Sequence, residues 1–224
     1  MSIKLKFTCI SDTHNQLDWL NLAAGDVLIH AGDLTLRGTL PELEQAARQL
    51  SKLDYKYKIV IAGNHDFAFQ IKPQEARQIF SKVPGLIYLE DNFTEIEGIK
   101  IYGSPWQPKF FAWAFNLERG AEIKEKWALI PNDIDILITH GPPHGILDQT
   151  LRADHAGCEE LLKAIQTRIK PRYHIFGHIH EGYGQYQDLK TGTVHINASI
   201  CNRYYAPINK PIVFEMQSRP SKKP

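Results

Sequence analysis

The sequence predicts an α/β fold in which two mixed β-sheets pack face to face with flanking helices. Two observations predict it. Short apolar runs recur along the chain, each ending in small or polar residues, and helical patterns lie between several of them. Some later runs follow one another with almost nothing between them, which asks for antiparallel pairing inside the same architecture.

The runs at 6–10, 27–31, 58–62, 134–139, 173–176 and 194–196 are rich in Ile, Val, Phe and Tyr, which favours strand. Near-continuous apolar runs suit strands covered on both faces. Between them, Thr39-Leu40-Pro41-Glu42 reads as a capping box, with Leu43, Ala46, Ala47, Leu50 and Leu53 at helical spacing behind it. Residues 73–80 and 121–129 are shorter helical candidates. Strands at 86–89, 93–97 and 99–102 come in quick succession, and Glu97-Gly98 looks like a tight turn. In 157–170, Leu161, Leu162, Ile165 and Ile169 form one stripe that Pro171 should stop.

The bulk numbers fit one domain over residues 1–217, with 218–224 as a solvated, flexible tail. A net charge of +1 gives no global field to recruit nucleic acid or a membrane. Cys9, Cys158 and Cys201 are odd in number and form no C-x-x-C pair, so neither a disulfide framework nor a thiolate zinc site is expected. No run is long enough to span a bilayer and no signal-peptide pattern is visible at the N-terminus, so the expected location is the cytoplasm.

What ends each strand carries the chemistry. The run at 6–10 leads into Asp12 and His14, and 27–31 into Gly32-Asp33. The run at 58–62 leads into Gly63-Asn64-His65-Asp66, 134–139 into His140, and 173–176 into Gly177-His178-Ile179-His180. Carboxyl ends of strands in α/β sheets line one crevice, so these residues should converge. Carboxylate and imidazole donors suit two divalent ions such as Mn, Fe or Zn. Asp12 and His14, two residues apart, would point the same way in an extended segment, and His178 and His180 would repeat that geometry. Gly32, Gly63 and Gly177 would allow sharp turns and close approach. Two cations about 3.5–4 Å apart can share a hydroxide and grip phosphate oxygens. His65 would protonate the leaving oxygen, and Asp66 would orient His65 or a ligand.

These residues resemble the calcineurin-like metallophosphoesterase family, whose order is D-x-H, G-D, G-N-H-D/E, a lone His and G-H-x-H. A closer likeness, to the metallophosphoesterase-domain (MPPED) proteins, rests on Gly103-Ser104-Pro105-Trp106-Gln107-Pro108, Phe115-Asn116-Leu117, His140-Gly141-Pro142-Pro143, Gly157-Cys158, His180-Glu181-Gly182-Tyr183-Gly184 and Ile196-Asn197-Ala198-Ser199. The resemblance implies an αββα sandwich and a ligand scheme. Asp12, His14 and His180 would hold one metal, Asn64, His140 and His178 the other, with Asp33 bridging and His65 outside the ligand set. It also implies a phosphodiesterase acting on cyclic nucleotides or similar diesters through a metal-bridging hydroxide. Asn64 and His65 would meet the substrate.

Alternatives stay open. The same fold could serve a nucleotide-binding or scaffold protein with little turnover, or a phosphomonoesterase. A P-loop NTPase and a Ser-His-Asp hydrolase lack their signatures here. His30, His174 and His195 are expected in structural or supporting roles, and His144 and His155 in loop or cap roles or facing substrate. Trp106, Phe110, Phe111, Trp113 and Phe115 could be core, a lid or a base-stacking platform. Lys109, Arg119 and Arg152 are the cations that could meet phosphate.

Overall fold

A computed structural model describes residues 3–218 of the 224. The first sheet runs β13-β1-β2-β3-β4, from β1 (Lys4–Ile10), β2 (Gly25–His30), β3 (Tyr55–Val60), β4 (Leu86–Tyr88) and β13 (Ile212–Gln217). β1 to β4 are mutually parallel, and β13 closes the edge antiparallel to β1. The second sheet runs β11-β12-β10-β9-β6-β5, from β5 (Asn92–Ile96), β6 (Ile99–Ser104), β9 (Ile136–Thr139), β10 (Tyr173–Phe176), β11 (Gly184–Gln187) and β12 (Val194–Asn197). Its four central strands are parallel and both edges antiparallel. A short pair, β7 (Gln107–Pro108) and β8 (Asn116–Leu117), stands apart from both sheets.

The alternation of side chains explains why the strands read as unbroken apolar runs. Phe7, Cys9, Val27, Ile29 and Ile59 point into the space between the sheets, where they meet Ile101, Ile136, Ile138, Ile175 and Ile196. Ile10, Leu28 and Val60 point the other way, onto α1 (Leu40–Ser51), α2 (Phe67–Ile71) and α3 (Pro73–Phe80). On the far side, Tyr102 and Leu137 pack against α4 (Ala121–Ala128) and α5 (Glu159–Ala164). Helix, sheet, sheet and helix are thus four layers sharing three apolar seams. Each fully buried Ile, Leu or Phe in such seams contributes about 1.5–3 kcal/mol relative to exposure.

Local signals account for several boundaries. The capping box forms: Thr39 N–H donates to Glu42 at 3.0 Å, and the Glu42 amide donates to the Thr39 hydroxyl at 3.4 Å. The turn between β5 and β6 places both Glu97 (φ 49°) and Gly98 (φ 76°) in the left-handed region, the geometry of a two-residue hairpin. The helix expected over 157–170 differs. α5 gives way to a wider π turn at Ile165–Ile169, and Lys170 leaves it at φ 46°. Pro171 explains the stop, because a residue before proline is driven out of the right-handed helical region. The widened turn still buries Ile165 and Ile169.

The tail expected from 218 starts too early. Ser218 is buried, its amide donates to the Ile3 carbonyl, and its hydroxyl accepts from the Ile3 amide, each at 2.7 Å. That extends the β13–β1 ladder by one residue; 219–224 lie outside the described residues.

His174 and His195 face each other across β10 and β12, fully buried, with Nδ1 atoms 3.2 Å apart. Burial holds His195 down to about 4 despite the charge of Asp188, and burial together with the charge of His195 holds His174 well below its usual range. A free imidazole titrates near about 6.5, so between about pH 4 and 6.5 the unfolded chain binds more protons. Stability is therefore full above that window and lost as pH falls through it. Urea midpoints of metal-free protein should drop from about pH 7.5 to about pH 5, and less steeply for His195→Asn. Identical slopes in the two proteins would reject the assignment.

Candidate metal centre

The five strand ends do converge. β1, β2, β3, β9 and β10 lead into loops carrying Asp12 and His14, Asp33, Asn64 and His65, His140, and His178 and His180. Asp33 Oδ2 lies 3.4 Å from His140 Nε2, 3.9 Å from His14 Nε2 and 4.0 Å from His65 Nε2. Asp12 Oδ1 lies 3.4 Å from His180 Nε2, which is 3.4 Å from His14 Nε2. The Asn64 carboxamide oxygen sits 2.9 Å from His140 Nε2 and 2.8 Å from His178 Nδ1. Three sets could each close on a cation: Asp12, His14 and His180; His14, Asp33 and His65; Asp12, Asp33 and His140. Asp12 and Asp33 each belong to two of these sets, and Asp33 Oδ2 has three imidazoles around it, as a bridging ligand requires.

The imidazoles are held from behind. Nδ1 donates to the backbone carbonyl of Thr35 from His14 (3.2 Å), of Leu36 from His65 (2.6 Å), of Ala31 from His140 (2.9 Å) and of Asn202 from His180 (2.9 Å). That bond leaves Nε2 turned toward the cluster, as in metal sites where a carbonyl or carboxylate orients the ring. His178 differs by presenting Nδ1 to Asn64.

The charges fit cations as well. Burial opposes ionisation of Asp12, yet the hydrogen bond and charge of His180 hold its carboxyl well below the usual range. Asp33 is likewise held low, against burial, chiefly by the charge and hydrogen bond of His140. Against their own burial, His140 and His180 rise to about 9 under the pull of Asp33 and Asp12 respectively. Burial keeps His14 near about 4 and His178 near about 3. Two buried carboxylates thus draw protons onto neighbouring rings, and divalent ions would supply that positive charge instead. Oxygen and imidazole donors in this number suit Mn, Fe or Zn.

Two expectations need correction. Asp12 and His14 do not share an extended segment: their φ angles are 53° and 42°, with Asp33 at 56° and His178 at 69°. Such conformations are strained for residues with a Cβ and persist where the surroundings over-determine them. Here the Asp12 amide is tied to the Gly32 carbonyl and the His14 amide to that of Asp33. Asp66 does not orient His65. Its oxygens accept from the amides of Gly63 (2.9 Å), Leu34 (3.2 Å) and Thr35 (2.9 Å) and from the Thr35 hydroxyl (2.7 Å). It ties the loop after β2 to the loop after β3, and the Leu36 carbonyl is what orients His65. Burial and the charge of Asp33 push the Asp66 carboxyl up to about 6, against those donors.

The close approach expected of the glycines is present. A methyl group at Gly63 would collide with Asp33, and one at Gly177 with Asp12. His30 is buried with Nε2 2.9 Å from the Thr13 hydroxyl, a supporting contact. His155 pairs with Asp148 at 2.7 Å, with its ring 5.4 Å from that of His144. The aromatic group divides. Phe115 is core, Trp106 packs beside it, and the Trp113 ring lies 4.2 Å from His65, while Phe110 and Phe111 are exposed. Arg119 is engaged by backbone carbonyls and Lys109 by Glu118.

Sequence reasoning missed Glu181, Arg203 and Tyr205, which with Trp113 rim a hollow of about 180 Å³ over Asp33, Asn64 and His65. It also gave no role to Ser199, whose hydroxyl donates to Asp12 at 2.8 Å. Arg203 and Tyr205 stand in a loop without periodicity, so no pattern could have marked them.

Known proteins match this chain closely. Over 232 residues it is 45% identical to human metallophosphoesterase domain-containing protein 1, covering 94% of this chain and 71% of the relative. A UPF0046 protein of Caenorhabditis elegans is 40% identical over 222 residues, covering 94% and 74%. The crystal structure of TT1561 of Thermus thermophilus shares the fold, with a TM-score of 0.62 at 16% identity over 87% of this chain and 89% of that one. No helix among the described residues is long and apolar enough to cross a membrane. The model of the calcineurin-like phosphoesterase family matches residues 5–182, and on that span and those identities the chain belongs to this family.

Proposed function

We propose that the protein is a dinuclear-metal phosphodiesterase acting on cyclic nucleotides or similar small phosphodiesters. One observation carries this most: backbone carbonyls pin four imidazoles so that their Nε2 atoms converge around Asp12 and Asp33. In this reading Asp12, His14 and His180 hold one ion, Asn64, His140 and His178 the other, and Asp33 bridges. Bound divalent ions supply Lewis acidity toward phosphoryl oxygens and lower the pKa of water from about 15.7 toward about 7.

The chain's own residues do the rest. Asn64 and His65 orient the phosphoryl group, and His65 Nε2 faces the position of the leaving oxygen, to which it gives a proton. Trp113 packs on the His65 ring and limits its rotation. The rim residues Arg203 and Tyr205 exclude bulk water from one side. Three buried free cysteines suit a reducing compartment, and the cytoplasm is the proposed location.

Dialysis against EDTA is expected to abolish hydrolysis of bis(p-nitrophenyl) phosphate, and Mn²⁺, Fe²⁺ or Zn²⁺ to restore it. Cyclic nucleotides assayed beside p-nitrophenyl phosphate then rank diester against monoester. Undiminished turnover in protein verified as metal-free sinks the mechanism. Nucleotide binding with no hydrolysis of any ester in metal-loaded protein favours a binding role.

A further inference from the structure

The metal cluster opens into two hollows. The first, of about 180 Å³, lies directly over Asp33, Asn64 and His65. The second, of about 290 Å³, is walled by Pro108, Arg119, Pro142, Thr150 and Ala156. Phe110, His178 and Glu181 line both, so the hollows meet at the edge of the cluster.

The second hollow is built into the fold. The Lys109 amide donates to the Leu117 carbonyl at 2.8 Å, continuing the β7–β8 pairing past Pro108. The Cys158 amide donates to the Pro142 carbonyl at 2.9 Å, tying the loop after β9 to the start of α5. Arg119 spans the gap, donating to the carbonyls of Gly157 and Ala156 at 2.8 Å each. Pro108, Pro142 and the half-exposed Phe110 ring supply flat apolar faces, and the guanidinium adds a planar cation. Its volume sits at the lower edge of the ~300–1,000 Å³ usual for small-molecule sites.

A phosphomonoester carries one organic group and a diester two. We infer that the second hollow receives the second organic arm of a linear phosphodiester, and that this arm is a planar aryl or heteroaryl group. The inference rests on the reading that the phosphoryl group sits at the metal cluster. The charge of Glu181 on the shared wall points the same way. A phosphomonoester near neutral pH carries about −1.5 to −2, and a diester has only one ionised oxygen to set against that carboxylate.

The test compares two esters with one leaving group, bis(p-nitrophenyl) phosphate and methyl p-nitrophenyl phosphate, in native and Thr150→Trp protein. Narrowing the hollow should lower the aryl-to-methyl ratio of kcat/KM by at least about tenfold, because intrinsic reactivity cancels between the two proteins. A ratio within about twofold of native, which includes parallel losses on both esters, overturns the assignment. Ala156→Phe narrows the hollow from another wall and gives the same reading if Thr150→Trp misfolds. If metal-loaded native protein hydrolyses neither ester, the proposed function fails, and the hollow is then judged by the same ratio taken from calorimetric Kd values.

Discussion

Asp33→Ala is expected to remove both bound metal and phosphoester turnover. The argument is geometric. Asp33 is shared by two of the three candidate metal sets, and its Oδ2 lies within 4.0 Å of His14, His65 and His140. Losing a residue that merely supports a ligand typically costs about 10–100-fold in metal affinity or activity, so losing a bridging ligand should cost more. The other oxygen complicates a simple deletion, because Asp33 Oδ1 accepts the His65 amide at 2.8 Å and helps shape the loop after β3. Asp33→Asn separates the two roles: it keeps an acceptor of the same size and drops the charge. Both variants should lose turnover, while Asn retains more of the native melting temperature. Metal counted per chain by mass spectrometry is the deciding readout, and an Asp33→Asn protein holding two ions at native affinity would end the bridging assignment.

The same loop shows how far sequence alone reaches. Five strand ends were legible because each is an apolar run followed by Asp, Asn or His, and parallel strands bring such ends to one rim. How the side chains get there was not legible. Extended backbone was expected at Asp12 and His14, whereas both lie at positive φ, their amides hydrogen-bonded to the carbonyls of Gly32 and Asp33 in a loop distant in sequence. Propensity reports local preference, and these residues adopt what the neighbouring loop imposes. Asp66 misled for a related reason. Its neighbour in sequence is His65, but its donors are Leu34, Thr35 and Gly63. β13 could have been read from its apolar residues Ile212, Phe214 and Met216 at every second position, whereas β11, with Gly184, Gln185, Tyr186 and Gln187, carries no apolar pattern at all.

His65→Ala should leave the metals in place and slow the reaction, by about 10²–10⁴-fold if the ring acts as general acid. Its position has two readings that this variant divides. Nε2 is 4.0 Å from Asp33 Oδ2, and His14, Asp33 and His65 together could grip an ion, so the ring could be a ligand. Yet it stands at the edge of the cluster against Trp113, at the hollow where a leaving oxygen would emerge. A proton donor matters most when the leaving group is a poor one. The loss should therefore be large for an alkyl ester and small for a p-nitrophenyl ester, whose anion departs without help. Equal losses on both, with metal retained, would make His65 a phosphoryl-positioning group; loss of an ion would make it a ligand. The general-acid role survives only if metal content is native and the penalty grows with the basicity of the leaving group.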